Sequence, residues 1–205
     1  MIPVCVYIDG FNLYHALLRL KDEKVKWLDL DALAEALIRP KTEQIKAIYY
    51  FSAYADWWPA KMARHQEYVK ALTAYGVFCV MGHFKKKSRK CNSCSATWTA
   101  HEEKETDVSI GITMLRDAYK GLYEKAYLVT RDSDLMPAVR MIRAEFPAKQ
   151  IVAVAPPLMG HSNDLITVCQ EKKKINPKQI CSCLLPKDVL GPDGKVAATR
   201  PAAYD

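Results

Sequence analysis

No stretch of this sequence has the length and apolar uniformity of a membrane span, so neither a spanning segment nor a membrane partner is expected. The first residues lack the basic flank and long apolar core of a secretory leader, which makes a cytosolic location the expectation. No Gly-x-x-x-x-Gly-Lys-Ser/Thr segment occurs, which removes P-loop nucleotide chemistry. No internal repeat is visible. The seven cysteines are odd in number, and Cys5 and Cys79 lie inside apolar strand-like runs where a thiol behaves as a small hydrophobe. A disulfide framework is therefore not expected in that compartment.

What is present describes a globular chain. The hydrophobic fraction of 50% and charged fraction of 26% exclude disorder throughout, and 205 residues suit one domain with a sizeable core. The formal net charge of +7 favours a polyanionic partner, because each lysine or arginine set on a phosphate releases condensed counterions. Self-association is left open, with room for a homo-oligomer.

Apolar, β-rich runs recur at Pro3 to Ile8, Ile45 to Ser52, Val77 to Met81, Ala126 to Thr130 and Ile151 to Ala155, with longer amphipathic segments between them. Strands alternating with helices predict a mostly parallel central sheet with helices on both faces. Two helical stripes, Leu13/Leu17/Leu18/Leu20 and Leu30/Leu33/Ala34/Leu37, read as core. A helix over Glu102 to Tyr123 is expected to bury Val108, Ile112, Leu115 and Ala118 or Tyr119, and one over Leu135 to Glu145 to bury Leu135, Val139 and Ile142. Residues 186–205, with Gly191-Pro192-Asp193-Gly194 and many small side chains, are expected to form a loose tail.

The first strand ends on Asp9-Gly10-Phe11-Asn12, and the fourth ends on Thr130-Arg131-Asp132-Ser133-Asp134. In an open parallel sheet the carboxyl ends of the strands border the ligand crevice, so acids from both can face one spot. Taken singly, each segment also reads as a turn or a helix cap. Taken together, with Asp107 in the first turns of the helix between them, Asp9, Asp107, Asp132 and Asp134 form a set of hard oxygen ligands suited to Mg²⁺ or Mn²⁺.

These segments resemble the NYN family, a branch of the PIN-like nucleases that includes the LabA-like proteins. The likeness is carried by Tyr7-Ile8-Asp9-Gly10-Phe11-Asn12, His101-Glu102-Glu103-Lys104-Glu105-Thr106-Asp107-Val108 and Thr130-Arg131-Asp132-Ser133-Asp134-Leu135-Met136-Pro137, in that order, and continues through Pro156-Pro157 and His161-Ser162-Asn163-Asp164-Leu165. It implies a Rossmann-like, three-layer PIN-like domain over residues 1–185 and a metal-dependent endoribonuclease. On this reading Asp9, Asp107, Asp132 and Asp134 bind one or two Mg²⁺ or Mn²⁺ ions, Asn12 orients the first acid or a phosphate oxygen, and Thr130 lines the pocket. Arg131 stands where the family commonly has a small residue, and its guanidinium either clamps phosphate or crowds the metal. Lys104 can neutralise a phosphate oxygen or belong to a solvated helix start.

The alternation breaks at about 83–101, which reads as a basic, cysteine-containing insertion. Its run Lys85, Lys86, Lys87, Arg89 and Lys90 is expected to touch RNA, single-stranded or looped, and Trp98 to stack on a base or pack under the loop. Cys91 and Cys94 have the spacing of a zinc knuckle, and His101 and His83 flank them as third and fourth ligands of a structural Zn²⁺. Without zinc the run is a flexible basic arm. A catalytically silent RNA-binding or partner-binding module of the same fold is the alternative function. A phosphotransferase of the haloacid-dehalogenase type, suggested by Asp132-x-Asp134, fits poorly because its nucleophile belongs near the first strand.

Overall fold

A computed structural model describes residues 1–205. Strand β1 (Ile2–Asp9) is the centre of the molecule, and its side chains alternate between two cores. Val4, Val6 and Ile8 point to one face, where they meet α1 (Gly10–Leu18), α2 (Leu30–Leu37) and α3 (Pro59–Ala74). Cys5 and Tyr7 point to the other. A strand buried on both faces needs apolar residues at every position, which is what Val4-Cys5-Val6-Tyr7-Ile8 supplies.

Around β1 lie β2 (Glu43–Ala53), β3 (Phe78–Lys90), β4 (Thr97–Lys104), β5 (Lys125–Val129), β6 (Gln150–Ala155) and β7 (Glu171–Lys174), in the order β4-β3-β2-β1-β5-β6-β7. Every pairing is parallel except β3 with β4. The chain moves outward from β1 through β2 and β3, then returns to place β5 on the other side of β1. The carboxyl ends of β1 and β5 are therefore the switch point at which open α/β sheets form their crevice. Helices α4 (Thr106–Tyr119), α5 (Met136–Glu145) and α6 (Asn163–Val168) cover the second face, completing three layers.

Glycine is required where β1 turns into α1. A Cβ on Gly10 would lie 2.6 Å from the Phe51 carbonyl oxygen and from the Tyr50 ring, so only glycine lets the helix start this close to β2.

Three expectations are corrected. The helix after the insertion starts at Thr106 and not at Glu102, because β4 runs through Lys104 and Glu105 takes a left-handed conformation (φ 78°) that turns the chain sharply. It buries Ile110, Met114 and Ala118, whereas Val108 and Ile112 are 63% exposed and Tyr119 is 65% exposed. Two apolar stripes compete on this helix. The winning one contains Asp117, a polar residue that is accommodated inside because Tyr7 Oη donates to it at 2.9 Å and Arg116 pairs with it at 2.7 Å.

The insertion at 83–101 is an ordered antiparallel hairpin, with a ladder from His83↔Lys104 to Lys90↔Thr97. It needs no apolar core because the backbone pairs hold it. Residues 186–205 are likewise not a loose tail. After α7 (Pro177–Ser182), strands β8 (Asp188–Leu190) and β9 (Val196–Thr199) pair antiparallel and pack on α3. Val189 and Ala198 are buried in the first core, the Trp27 indole donates to the Pro186 carbonyl at 2.8 Å, and the Thr199 amide donates to Glu67 at 2.9 Å. Alternate apolar side chains among small residues sufficed to anchor the segment.

Candidate metal and nuclease site

The site begins with a helix cap. Asp9 ends β1, is 2% exposed, and accepts the Asn12 amide on Oδ1 at 2.9 Å, which starts α1. Its other oxygen accepts the Asn12 side-chain amide at 2.7 Å and the Thr130 hydroxyl at 2.8 Å. Thr130 Oγ1 in turn accepts the Asp132 amide at 3.0 Å, and Asn12 Oδ1 accepts the Arg131 amide at 3.2 Å. Asn12 and Thr130 thus tie the end of β1 to the end of β5. Asp132 is itself a cap, accepting the Asp134 amide at 2.9 Å. Capping and cleft formation are performed by the same two carboxylates.

Asp9, Asn12, Asp107 and Asp132 line one cleft of about 270 Å³, together with Phe11, His15, Glu103 and Met159. Three of the four expected acids are brought together. Asp134 is exposed beside the cleft and is not among its lining residues, because it sits in the short turn that Asp132 caps. Glu103 lines the cleft in addition. It was hidden in the sequence by Glu102-Glu103-Lys104-Glu105, which looks like a solvated charge run; the period-two alternation of β4 puts Glu103 inward and its neighbours outward. The Thr106 hydroxyl donates to Glu103 Oε1 and fixes it.

The carboxylates sense one another. Burial, then the charges of Asp132, Asp9 and Asp134, push Asp107 up to about 6. Burial, opposed by the Thr106 bond and reinforced by Asp9 and Asp107, pushes Glu103 up to about 7. Asp9 is raised by burial and by Asp132, against the lowering effect of its bonds to Asn12 and Thr130. Three hairpin cations, Lys87, Arg89 and Lys104, are committed to Glu102 on the outer face. No three His, Cys, Asp or Glu side chains stand close enough to hold one ion as they are. The donor set nevertheless fits Mg²⁺ or Mn²⁺, since such ions take hard oxygen ligands and Mg²⁺ keeps several waters while using one or two carboxylates directly.

The remaining expected residues divide by geometry. Arg131 joins the site through its backbone, and its buried Nε has no hydrogen-bond partner. Lys104 points away from the cleft to Glu102 at 3.3 Å. Lys85, Lys87 and Arg89 share that outer face with Trp98, and Glu102 is held down at about 2, by Arg89 first and then by Lys104 and Lys87. Lys86 and Lys90 are on the opposite, cleft-side face. The zinc ligands are not gathered. Cys91 and Cys94 occupy the hairpin tip, His101 is four ladder positions away against the Trp57 ring, and His83 is at the far end, 3.3 Å from Glu105. A regular ladder spaces these rungs by about 3.4 Å each, so the strand itself keeps thiols and imidazoles apart.

The NYN domain profile matches residues 3–175, a span that includes every cleft residue. A curated relative, 6-hydroxy-3-succinoylpyridine 3-monooxygenase HspA of Pseudomonas putida, is 29% identical over an alignment of 227 residues that covers 91% of this chain and 71% of the relative. The fold is shared with the crystal structure of a protein of unknown function from Vibrio parahaemolyticus, with a TM-score of 0.54, 17% identity, and coverage of 90% of this chain and 96% of that one. No helix is long and apolar enough to cross a membrane. With the profile running from β1 through β7 and the acids at the switch point of a three-layer sheet, this chain belongs to the NYN domain family of PIN-like nucleases.

Proposed function

We propose that this protein is a Mg²⁺- or Mn²⁺-dependent endoribonuclease that hydrolyses phosphodiesters of single-stranded or looped RNA in the acidic cleft. The carrying observation is the meeting of Asp9, Glu103, Asp107 and Asp132 in one cleft with no lysine or arginine paired to them. Acids crowded in this way without a cationic neighbour favour capture of a cation. A divalent ion bound there supplies Lewis acidity toward water and toward a phosphate oxygen.

The chain's own residues do the rest. Asp9 is pinned by Asn12 and Thr130, so it presents a fixed oxygen edge and does not swing with the ligand. Asp107 makes no protein hydrogen bond that would hold it back from the cleft, and Asp132 keeps Oδ2 free while Oδ1 caps the following turn. Glu103, with Thr106 fixing one oxygen, stands ready to take a proton from water entering beside Asp107. Arg131 contributes through its backbone, whose amide donates to Asn12 Oδ1 and so helps hold the clamp on Asp9.

A silent binding module is the second reading, favoured by the distances that leave no three acids preassembled for one ion. Incubation of the purified protein with mixed RNA and single-stranded DNA, in Mg²⁺, Mn²⁺ or chelator, separates the two. Metal-dependent cleavage lost in Asp132→Asn supports the nuclease; RNA binding with no cleavage in any metal supports the silent module. The oxygenase activity in the name of the Pseudomonas relative adds a third arm, in which 6-hydroxy-3-succinoylpyridine is offered under air with a two-electron reductant. Turnover there would replace the nuclease reading.

A further inference from the structure

The cleft-side face of the β3–β4 hairpin continues out of the cleft as a row of aromatic rings followed by lysines. Phe11, at the cleft wall, packs on Phe84 at 5.4 Å between ring centroids, and Phe84 stands perpendicular to Trp57 with centroids 4.7 Å apart. Trp57, from the loop after β2, lies nearly parallel to His101 with centroids 3.6 Å apart and an interplanar angle of 12°. Phe84 and His101 belong to the same hairpin face by register, and the next inward side chains on β3 include Lys86 and Lys90. From Phe84 to Lys90 this face extends about 20 Å at the usual strand rise.

The cations on the two faces of the hairpin differ in pairing, with Lys85 the one outer-face cation of β3 that has no acidic partner. On the outer face Glu102 engages Lys87, Arg89 and Lys104. On the cleft-side face Lys86 and Lys90 have no acidic partner within ion-pair reach, and Trp57 remains 37% exposed. Flat aromatic surface followed by uncommitted ammonium groups suits a chain of bases and phosphates. Duplex bases are hidden in their own stack, so rings of this kind favour unpaired nucleotides.

We propose that Trp57, Phe84 and His101, with Lys86 and Lys90, form a track that stacks unpaired bases and holds their phosphates, leading one RNA strand into the cleft. The proposal rests on the reading of the cleft as an RNA site, and it assigns the single-strand preference to this hairpin face. Of the residues expected from sequence to stack or bind, Trp98 and the outer-face cations have no part in it.

Binding is measured by fluorescence anisotropy with chelator present, using an unpaired oligouridylate of about 12 nucleotides and a duplex of equal length, long enough to span the track. Trp57→Ala is expected to weaken oligouridylate binding about tenfold, and Trp57→Phe, which keeps a stacking face, to restore most of it. Lys86→Ala with Lys90→Ala should weaken binding and lower the salt slope by about 1.4, while Lys41→Ala with Lys120→Ala, exposed residues leading into the amino ends of β2 and β5, should change neither. Circular dichroism confirms that each variant is folded. Duplex bound as tightly as single strand, no oligouridylate binding at all, or wild-type affinity in both track variants would overturn the track. Metal-dependent cleavage with unaffected track variants would sink the track alone. Track-dependent binding with no cleavage in any metal would sink the nuclease reading and leave the track standing.

Discussion

The cleft and the hairpin meet at Glu103 but are built in opposite ways. In the cleft, order comes from short-range bonds at strand ends: Asp9 with Asn12, Thr130 with Asp132, Asp132 with Asp134, then a few links across the switch point. In the hairpin, order comes from a ladder whose partners lie on two strands joined only at the tip, with polar side chains on both faces. The first kind of structure leaves its signature in consecutive residues. The second leaves almost none, since a ladder is held by backbone groups that every residue has.

The widest gap between the two regions is expected in activity. Asp132→Asn should lower metal-dependent RNA cleavage by at least about 100-fold with the fold intact, a loss of the size seen when one group aimed at developing charge is removed. Cleavage is followed on labelled RNA in Mn²⁺, and folding by circular dichroism. Wild-type cleavage in this variant would remove the cleft from the chemistry and leave the hairpin as the functional surface.

That contrast also explains what could be read in advance. Five core strands, the stripe of α2 and the Leu13/Leu17 half of the α1 stripe were legible because apolar periodicity follows from burial, whereas Leu18 is exposed and Leu20 lies beyond the helix. Asp9, Asp107 and Asp132 were legible because each sits at or next to a strand end or helix start. Glu103 was not, because its role depends on strand parity, and the sequence suggested a helix there. The buried stripe of α4 was misread for a related reason: Val108/Ile112 and Ile110/Met114 have the same spacing, and only the Tyr7–Asp117 bond across 110 residues decides between them. The zinc set failed because spacing along the chain says nothing about distance along a ladder.

Metal binding should separate the two regions next. Mn²⁺ should raise Tm by several degrees, since saturation at about 100 times Kd adds about 2.7 kcal/mol and each kcal/mol moves a domain of this size by about 2–4 °C. Asn12→Ala should reduce the shift and raise the Mn²⁺ concentration needed for cleavage by about 10- to 100-fold, because Asn12 holds Asp9 and the backbone at Arg131 in register. Differential scanning fluorimetry across a Mn²⁺ series reads both. An undiminished shift in Asn12→Ala would show that the clamp positions nothing.

Charge repulsion supplies a smaller effect. Asp107 is raised from 3.8 to about 6, so the fold disfavours its ionised form. For an acid with a raised folded pKa, the penalty is absent below the unfolded value and complete above the folded one. In metal-free buffer Asp107→Asn should therefore be more stable than the wild type by about 1 kcal/mol at pH 8, discounted for the partial exposure of the group, and the gain should fade between pH 6 and pH 4. Urea unfolding at the two extremes measures it. A gain that grows toward low pH would mean that Asp107 has a cationic partner.

The smallest effect belongs to the hairpin tip. Cys91→Ser with Cys94→Ser should change global stability by no more than about 0.5 kcal/mol, the range of surface substitutions that touch no core, cap or network. The reason is geometric. The ladder from Lys90↔Thr97 inward holds the strands, while His101 is stacked on Trp57 and His83 lies beside Glu105, so neither imidazole is positioned to join two thiols in a tetrahedral site. Chelator should accordingly leave the rate of proteolysis within the hairpin unchanged. One zinc per chain, lost with the double serine variant and accompanied by faster cleavage at the tip, would show that the hairpin recruits ligands from outside its own ladder, and its order would then depend on a bound cation, whereas that of the cleft rests on its own hydrogen bonds.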